Sequence, residues 1–265
     1  MPAHVLDDIA TASAREVVAA ADEVAKAVPR SIGATVEYEL QRQLHRHDLP
    51  RLSDYTHSVM VKRIEELVRL GQGPRSGDLQ AVTEDAIMIP SILRDDPFWI
   101  AFLKRAEITA RNLGVGDLIA AGLAGAMAEL ADNVILHSEA APSGIAAFAC
   151  CDGGFEYVVA DAGIGMLASL RKAPEFEALR DDLEALPLAI TPGISRRGRQ
   201  SGSGYGYRAV FAPLKALSGL VRLRSGRAVL QISGLGPAPD QGRCSQRPPH
   251  QGLVVTVRIV TANGG

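Results

Sequence analysis

Three groups of residues in this 265-residue chain have types and spacings suited to holding one small ligand. The first is Glu129-Leu-Ala-Asp-Asn133-Val-Ile-Leu-His137. On a helix, residues four apart project from the same face, so Glu129 lies beside Asn133 and Asn133 beside His137. A carboxylate next to an amide can hold a hydrated divalent cation and orient a water or hydroxyl. The same pattern is that of an exposed polar stripe. The second group is Asp161-Ala-Gly163-Ile-Gly165, after a strand-like run. Its carboxylate can accept a hydrogen bond from an exocyclic amine, and its glycines let a flat ligand approach the backbone. A plain strand-to-loop turn capped by Asp reads alike. The third group is Gly202-Ser-Gly204-Tyr-Gly206-Tyr, leading into a helix-like segment. Successive backbone N–H groups there suit phosphate oxygens, and a hinge has the same composition. No Gly-Lys-Ser/Thr follows, so it is not a P-loop, and its spacing is not that of a dinucleotide fingerprint.

These groups need elements to place them. Residues 13–28, 33–47 and 54–70 have helical apolar spacing, separated by Pro29 and Pro50. Residues 71–77 read as a turn or linker, and residues 86–93 as a short strand limited by Pro90. A boundary is expected near Asp95. Beyond it, residues 97–112 predict a helix ending at Gly114, and Asp117 an N-cap for a helix running to His137. Leu123, Met127, Leu130 and Val134 form that helix's core stripe. Residues 144–151 and 155–160 predict strands joined by Asp152-Gly153-Gly154. Residues 162–203 read as irregular with short helical pieces, and residues 205–217 as a helix interrupted by Pro213. Residues 220–224 and 228–232 predict strands around Ser225-Gly226, residues 234–252 a surface loop, and residues 253–260 a last strand. The expected class is α+β, with a mixed, mostly antiparallel sheet and helices on one face.

Composition sets further limits. Hydrophobic residues make up 47% and charged ones 22%, which excludes wholesale disorder. Residues 1–95 carry 11 basic and 15 acidic side chains, while residues 185–239 carry eight basic and no acidic ones. The net charge of −2 supplies no global field for nucleic acid, so no nucleic-acid partner is expected. Three cysteines, Cys150, Cys151 and Cys244, make neither a disulfide framework nor a zinc pattern. The N-terminal residues do not read as a signal peptide, and Glu129 and Asp132 interrupt the most apolar stretch. The expectation is a soluble cytoplasmic protein without a membrane partner.

Glu-x-x-x-Asn on a helix, Asp-x-Gly-x-Gly after a strand and Gly-x-Gly-x-Gly before a helix, in that order, resemble the GHKL superfamily. These are the Bergerat-fold, histidine kinase-like ATPase domains of gyrase B, heat-shock chaperones, histidine kinases and MutL. The form Glu-Leu-x-x-Asn-x-x-x-His-Ser is most similar to the anti-sigma-factor serine kinase and histidine kinase-like branch. The resemblance spans residues 97–261. It implies a Bergerat-type α/β sandwich at residues 96–265, preceded by a helical region at residues 1–95 that serves dimerisation or partner binding. It implies ATP and Mg²⁺ as cofactors. Asn133 would coordinate the metal and Glu129 act as general base. Asp161 would meet the adenine amino group and Gly163 and Gly165 shape its pocket. Gly202, Gly204 and Gly206 would wrap the phosphates. The stretch between the glycine boxes would be a lid, in which Ser195, Arg196, Arg197 or Arg199 could reach the γ-phosphate. The second glycine box departs from kinases in carrying Tyr205 and Tyr207 where Leu is usual, and the lid is long for the anti-sigma branch. His47-Asp48-Leu49-Pro50 begins like a phospho-acceptor box, but Pro50 would break the helix that must present the imidazole. The expected activity is transfer of the γ-phosphate to a protein acceptor or to water, in signalling or regulation. The alternative is a non-catalytic, nucleotide-gated module whose lid controls a regulatory protein partner. A homodimer through the N-terminal helices is a further expectation.

Overall fold

The segments IAAFACC and GFEYVVAD are apolar at nearly every position, and a strand apolar on both faces has to be covered on both. They form β2 (Ile145–Cys151) and β3 (Gly154–Asp161), paired antiparallel from Cys151↔Gly154 to Ile145↔Ala160. The computed structural model describes residues 31–44, 49–54, 58–70, 86–90, 97–151, 154–191, 194, 219–233 and 242–260. Its other elements are α1 (Ile32–Leu44), α2 (Val59–Leu70), β1 (Ala86–Pro90), α3 (Pro97–Asn112), α4 (Asp117–His137), α5 (Gly165–Leu170), α6 (Asp182–Ala189), β4 (Gly219–Ser233) and β5 (Arg243–Val260). The expected helices at residues 13–28 and 205–217, the turns at residues 71–77 and Asp152-Gly153, the lid residues 195–199, the second glycine box and His47 lie outside the described residues.

The five strands lie in the order β1-β2-β3-β5-β4. All pairings among the described residues are antiparallel, in an α+β protein. Helices of residues 96–265 cover one face, and the N-terminal helical region covers the other. One face carries Phe148, Phe155, Tyr157, Val159, Val221, Leu223, Val255, Val257 and Ile259, covered by α3 and α4. Leu123, Met127, Leu130 and Val134 all point into this layer, as the helical spacing predicted, and Trp99 stacks on Phe102 at 5.3 Å between ring centres. Each such fully buried apolar side chain contributes about 1.5–3 kcal/mol. The opposite face carries Ile145, Ala147, Ala149, Val158, Ala160 and Val254, and Ile32, Val36, Leu40 and Ile64 of α1 and α2 pack on it. Helices are needed there because β2 and β3 are apolar on that side too.

Helix α1 is buried along its whole first ten residues, polar ones included. Its N-terminus is held by Glu156 of β3, whose Oε1 accepts from Ser31 Oγ at 2.7 Å and from Gly33 N at 2.8 Å. A Cβ at Gly33 would overlap Thr256 of β5, so glycine lets the helix lie against the sheet. In α2, Glu65 accepts from Ser53 N, Ser53 Oγ and Arg51. Burial pushes its carboxyl up, but those hydrogen bonds together hold it below the usual carboxylate range.

Several sequence expectations are refined. Gly116, not Asp117, caps α4, and Asp117 is its first residue, ion-paired with Arg111 at 3.1 Å. The reason is local. Gly114 takes φ +85° to close α3, and Gly116 O then accepts the first helical bond from Ala120 N at 2.9 Å. The two short strands expected around Ser225-Gly226 are one continuous strand, β4, and half of the expected loop at residues 234–252 belongs to β5. Ser225-Gly226 marks a bulge where the register shifts, from Ser225↔Leu253 to Gly226↔His250 and then Ala228↔Gln246.

Candidate functional site

Asp161 ends β3 and is 4% exposed. Burial lifts its carboxyl from the usual 3.8 to about 6, although backbone N–H groups of Gly163 and Leu253 pull the other way. Gly163 N donates to Oδ1 at 2.8 Å. Among the described residues no cationic side chain pairs with this carboxylate. A buried carboxylate without a counter-charge is costly, and such groups concentrate where a ligand is met.

The loop after Asp161 is tied to four other segments. Ile164 N donates to Ser138 O, at the end of α4, at 2.9 Å. A Cβ at residue 163 would overlap that same carbonyl, so only glycine permits this approach. Ala162 N donates to Ser143 Oγ at 2.9 Å, and Gln251 Nε2 to Ala162 O at 2.7 Å. Met166 N donates to Ser225 Oγ at 2.9 Å, and Ser225 Oγ donates to Gly252 O at 2.9 Å. Gly165 is required by its φ of +73°. The C-terminal end of the helix that carries Glu129, Asn133 and His137 is therefore bonded to the Asp161–Gly165 loop.

On α4, Glu129 is exposed and Asn133 and His137 are half-buried, with His137 one turn beyond Val134 at the end of the apolar stripe. Among the described residues no three His, Cys, Asp or Glu side chains cluster as a protein-only metal site. A divalent ion at Asn133 would need oxygens from a bound ligand and water, which is how Mg²⁺ is ordinarily held. Gly202, Gly204 and Gly206 lie outside the described residues, so the phosphate-wrapping assignment rests on sequence.

The sequence assigns no role at the site to Ser138, Ser225 or Gly252. Ser225-Gly226 reads locally as a turn signal, and nothing local marks Ser225 as facing a loop some sixty residues earlier. The buried charges Glu37, Arg222 and Arg224 are likewise given no role. One signal was present. Arg222 and Arg224 alternate with Val221 and Leu223, so once both sheet faces are covered they must be buried and require an anion.

The fold class is thus a five-stranded antiparallel sheet between two helical layers, with a buried carboxylate at a strand end. In comparisons with known proteins, no family model matches the chain, and no curated protein or solved structure matches it.

Proposed function

We propose that the chain binds Mg·ATP in the manner of a Bergerat-type, histidine kinase-like ATPase domain, and passes the γ-phosphate to a protein acceptor or to water. The observation that carries this reading is Asp161: a carboxylate 4% exposed, unpaired with any described cation, fixed by backbone N–H groups beside a glycine loop. Such a group is poised to accept from an exocyclic amine, and adenine presents one. The bond between Ile164 and Ser138 puts this loop at the end of the helix that carries Asn133 and Glu129. In this reading Asn133 holds the metal and Gly163 and Gly165 admit the base. Gly202, Gly204 and Gly206 enclose the phosphates, and Glu129 accepts the proton of the attacking hydroxyl. ATP supplies the transferable phosphoryl group when bound, and Mg²⁺ neutralises its charge. The N-terminal helical region would serve a regulatory partner or a second copy of the chain.

A second reading, a nucleotide-gated binding module without turnover, is favoured by the solvent exposure of Glu129, since a general base works best when oriented and partly desolvated. One experiment separates them. Nucleotide binding and ADP release are measured with and without Mg²⁺ in wild type, Asn133→Ala and Glu129→Ala. The enzyme reading expects Asn133→Ala to lose Mg-dependent binding, and Glu129→Ala to keep binding and lose turnover. The module reading expects binding without turnover in wild type.

A further inference from the structure

On the α1 side of the sheet, Glu37 is buried between two arginines of β4. Its carboxylate accepts from Arg222 Nη1 and Nη2, the latter at 3.2 Å, and from Arg224 Nε at 3.2 Å. Arg224 is 1% exposed and its fork spans the bulge. Nη1 donates to Gly226 O at 2.8 Å and Ala228 O at 3.1 Å on β4, and Nη2 donates to Pro248 O on β5. A bulge interrupts the ladder that would otherwise join two strands. Here the guanidinium supplies donors to carbonyls on both.

Ser225, the residue between, is fully buried and bonds the other way, to Gly252 O and Met166 N. Gly252, at φ +80°, lies so close to Asp161 that a Cβ would overlap its carbonyl oxygen. Leu253, the next residue, donates to the Asp161 carboxylate. A continuous series of buried polar contacts thus runs from α1 through Glu37, Arg224 and the bulge to Ser225 and the Asp161–Met166 loop.

We propose that Arg224 and Ser225 are positioning residues of the Asp161 site, and that α1, through Glu37, sets how firmly they hold it. A partner that shifts α1 would therefore alter ligand binding at the other side of the sheet. The identity of the ligand rests on the nucleotide reading above; the mechanical link does not.

The test is amide hydrogen exchange on the full chain under native conditions, read at Gly163, Ile164 and Met166, with ATP affinity measured in parallel. Ser225→Ala removes the Met166 acceptor and is expected to speed exchange of all three amides about tenfold, whereas Ser225→Thr, which keeps the hydroxyl, restores slow exchange. Glu37→Gln is expected to speed the same amides at least about threefold, at a distance. If Glu37→Gln does not fold, Arg224→Lys reads the same link, because an ammonium keeps the charge and loses the fork. Glu65→Gln in α2 is the control: it disturbs an equally buried carboxylate with no bonds toward the site. The proposal is overturned if Glu37→Gln and Arg224→Lys leave the three amides at the wild-type rate, or if Glu65→Gln speeds them equally. Amides that respond as expected in a protein that does not bind ATP would retain the link and remove the nucleotide reading.

Discussion

Two carboxylates in this protein are buried to a similar depth on opposite sides of one sheet, and they are treated differently. Glu37 faces two guanidinium groups within hydrogen-bonding distance. Asp161 faces backbone N–H groups and no described cation. A buried ion pair has its desolvation cost offset inside the fold, so removing one partner leaves the other stranded. A buried carboxylate without a counter-charge keeps that cost open for something else to meet. Depth of burial alone does not distinguish structure from site. What distinguishes them is whether the protein itself supplies the opposite charge.

The largest effect is expected from Glu37→Ala. It strands Arg222 and Arg224 and is expected to destabilise the fold by about 3–5 kcal/mol, read as a fall in the denaturant midpoint. A loss near zero would mean that the pair is not structural. Next comes Gly252→Ala, which places a Cβ at positive φ against the Asp161 carbonyl; a loss of more than about 1 kcal/mol is expected, together with weaker ligand binding.

Asp161→Asn should act through pH. The native carboxyl titrates near 6 and the unfolded one near 3.8, so between these values the native state binds more protons than the unfolded. Stability therefore falls as pH rises through this window, and above about 6 the penalty is complete. Asp161→Asn keeps an oxygen for the Gly163 N–H and removes that penalty. Its stability relative to wild type should rise from pH 4 to about 6 and then level off. A flat difference across that range would show that the carboxyl is not desolvated. The smallest effect on the fold is expected for Glu129→Ala: an exposed residue whose loss changes stability by no more than about 0.5 kcal/mol while turnover disappears.

How much of this was readable from the sequence differs between the two sides. The α4 stripe was legible because its period matches a helix and nothing competes with it. The β2–β3 hairpin was legible from two apolar runs and the Asp-Gly between them. The Asp161 loop stood out because Asp-x-Gly-x-Gly follows a strand. The first half of β5 was hidden by Arg247-Pro-Pro-His250, which reads as loop, while its second half was legible as a strand. Those prolines fit because they fall where the β4 register shifts, in the half of β5 that β3 does not pair with, so their missing N–H groups leave no ladder bond unmade there. The Glu37–Arg224 network was hidden by distance along the chain: its partners are 187 residues apart, and no local pattern links them.

The proposed role of Asp161 is to receive a ligand's amine on a buried carboxylate that no described cation pairs with. Titration calorimetry of the full chain with Mg·ATP and Mg·GTP, in wild type and Asp161→Asn, tests it most directly. Wild type is expected to bind ATP in preference to GTP, and a folded Asp161→Asn protein to lose at least about tenfold in ATP affinity, some 1.4 kcal/mol. Equal ATP affinity in the two proteins, or no binding by wild type, would contradict it.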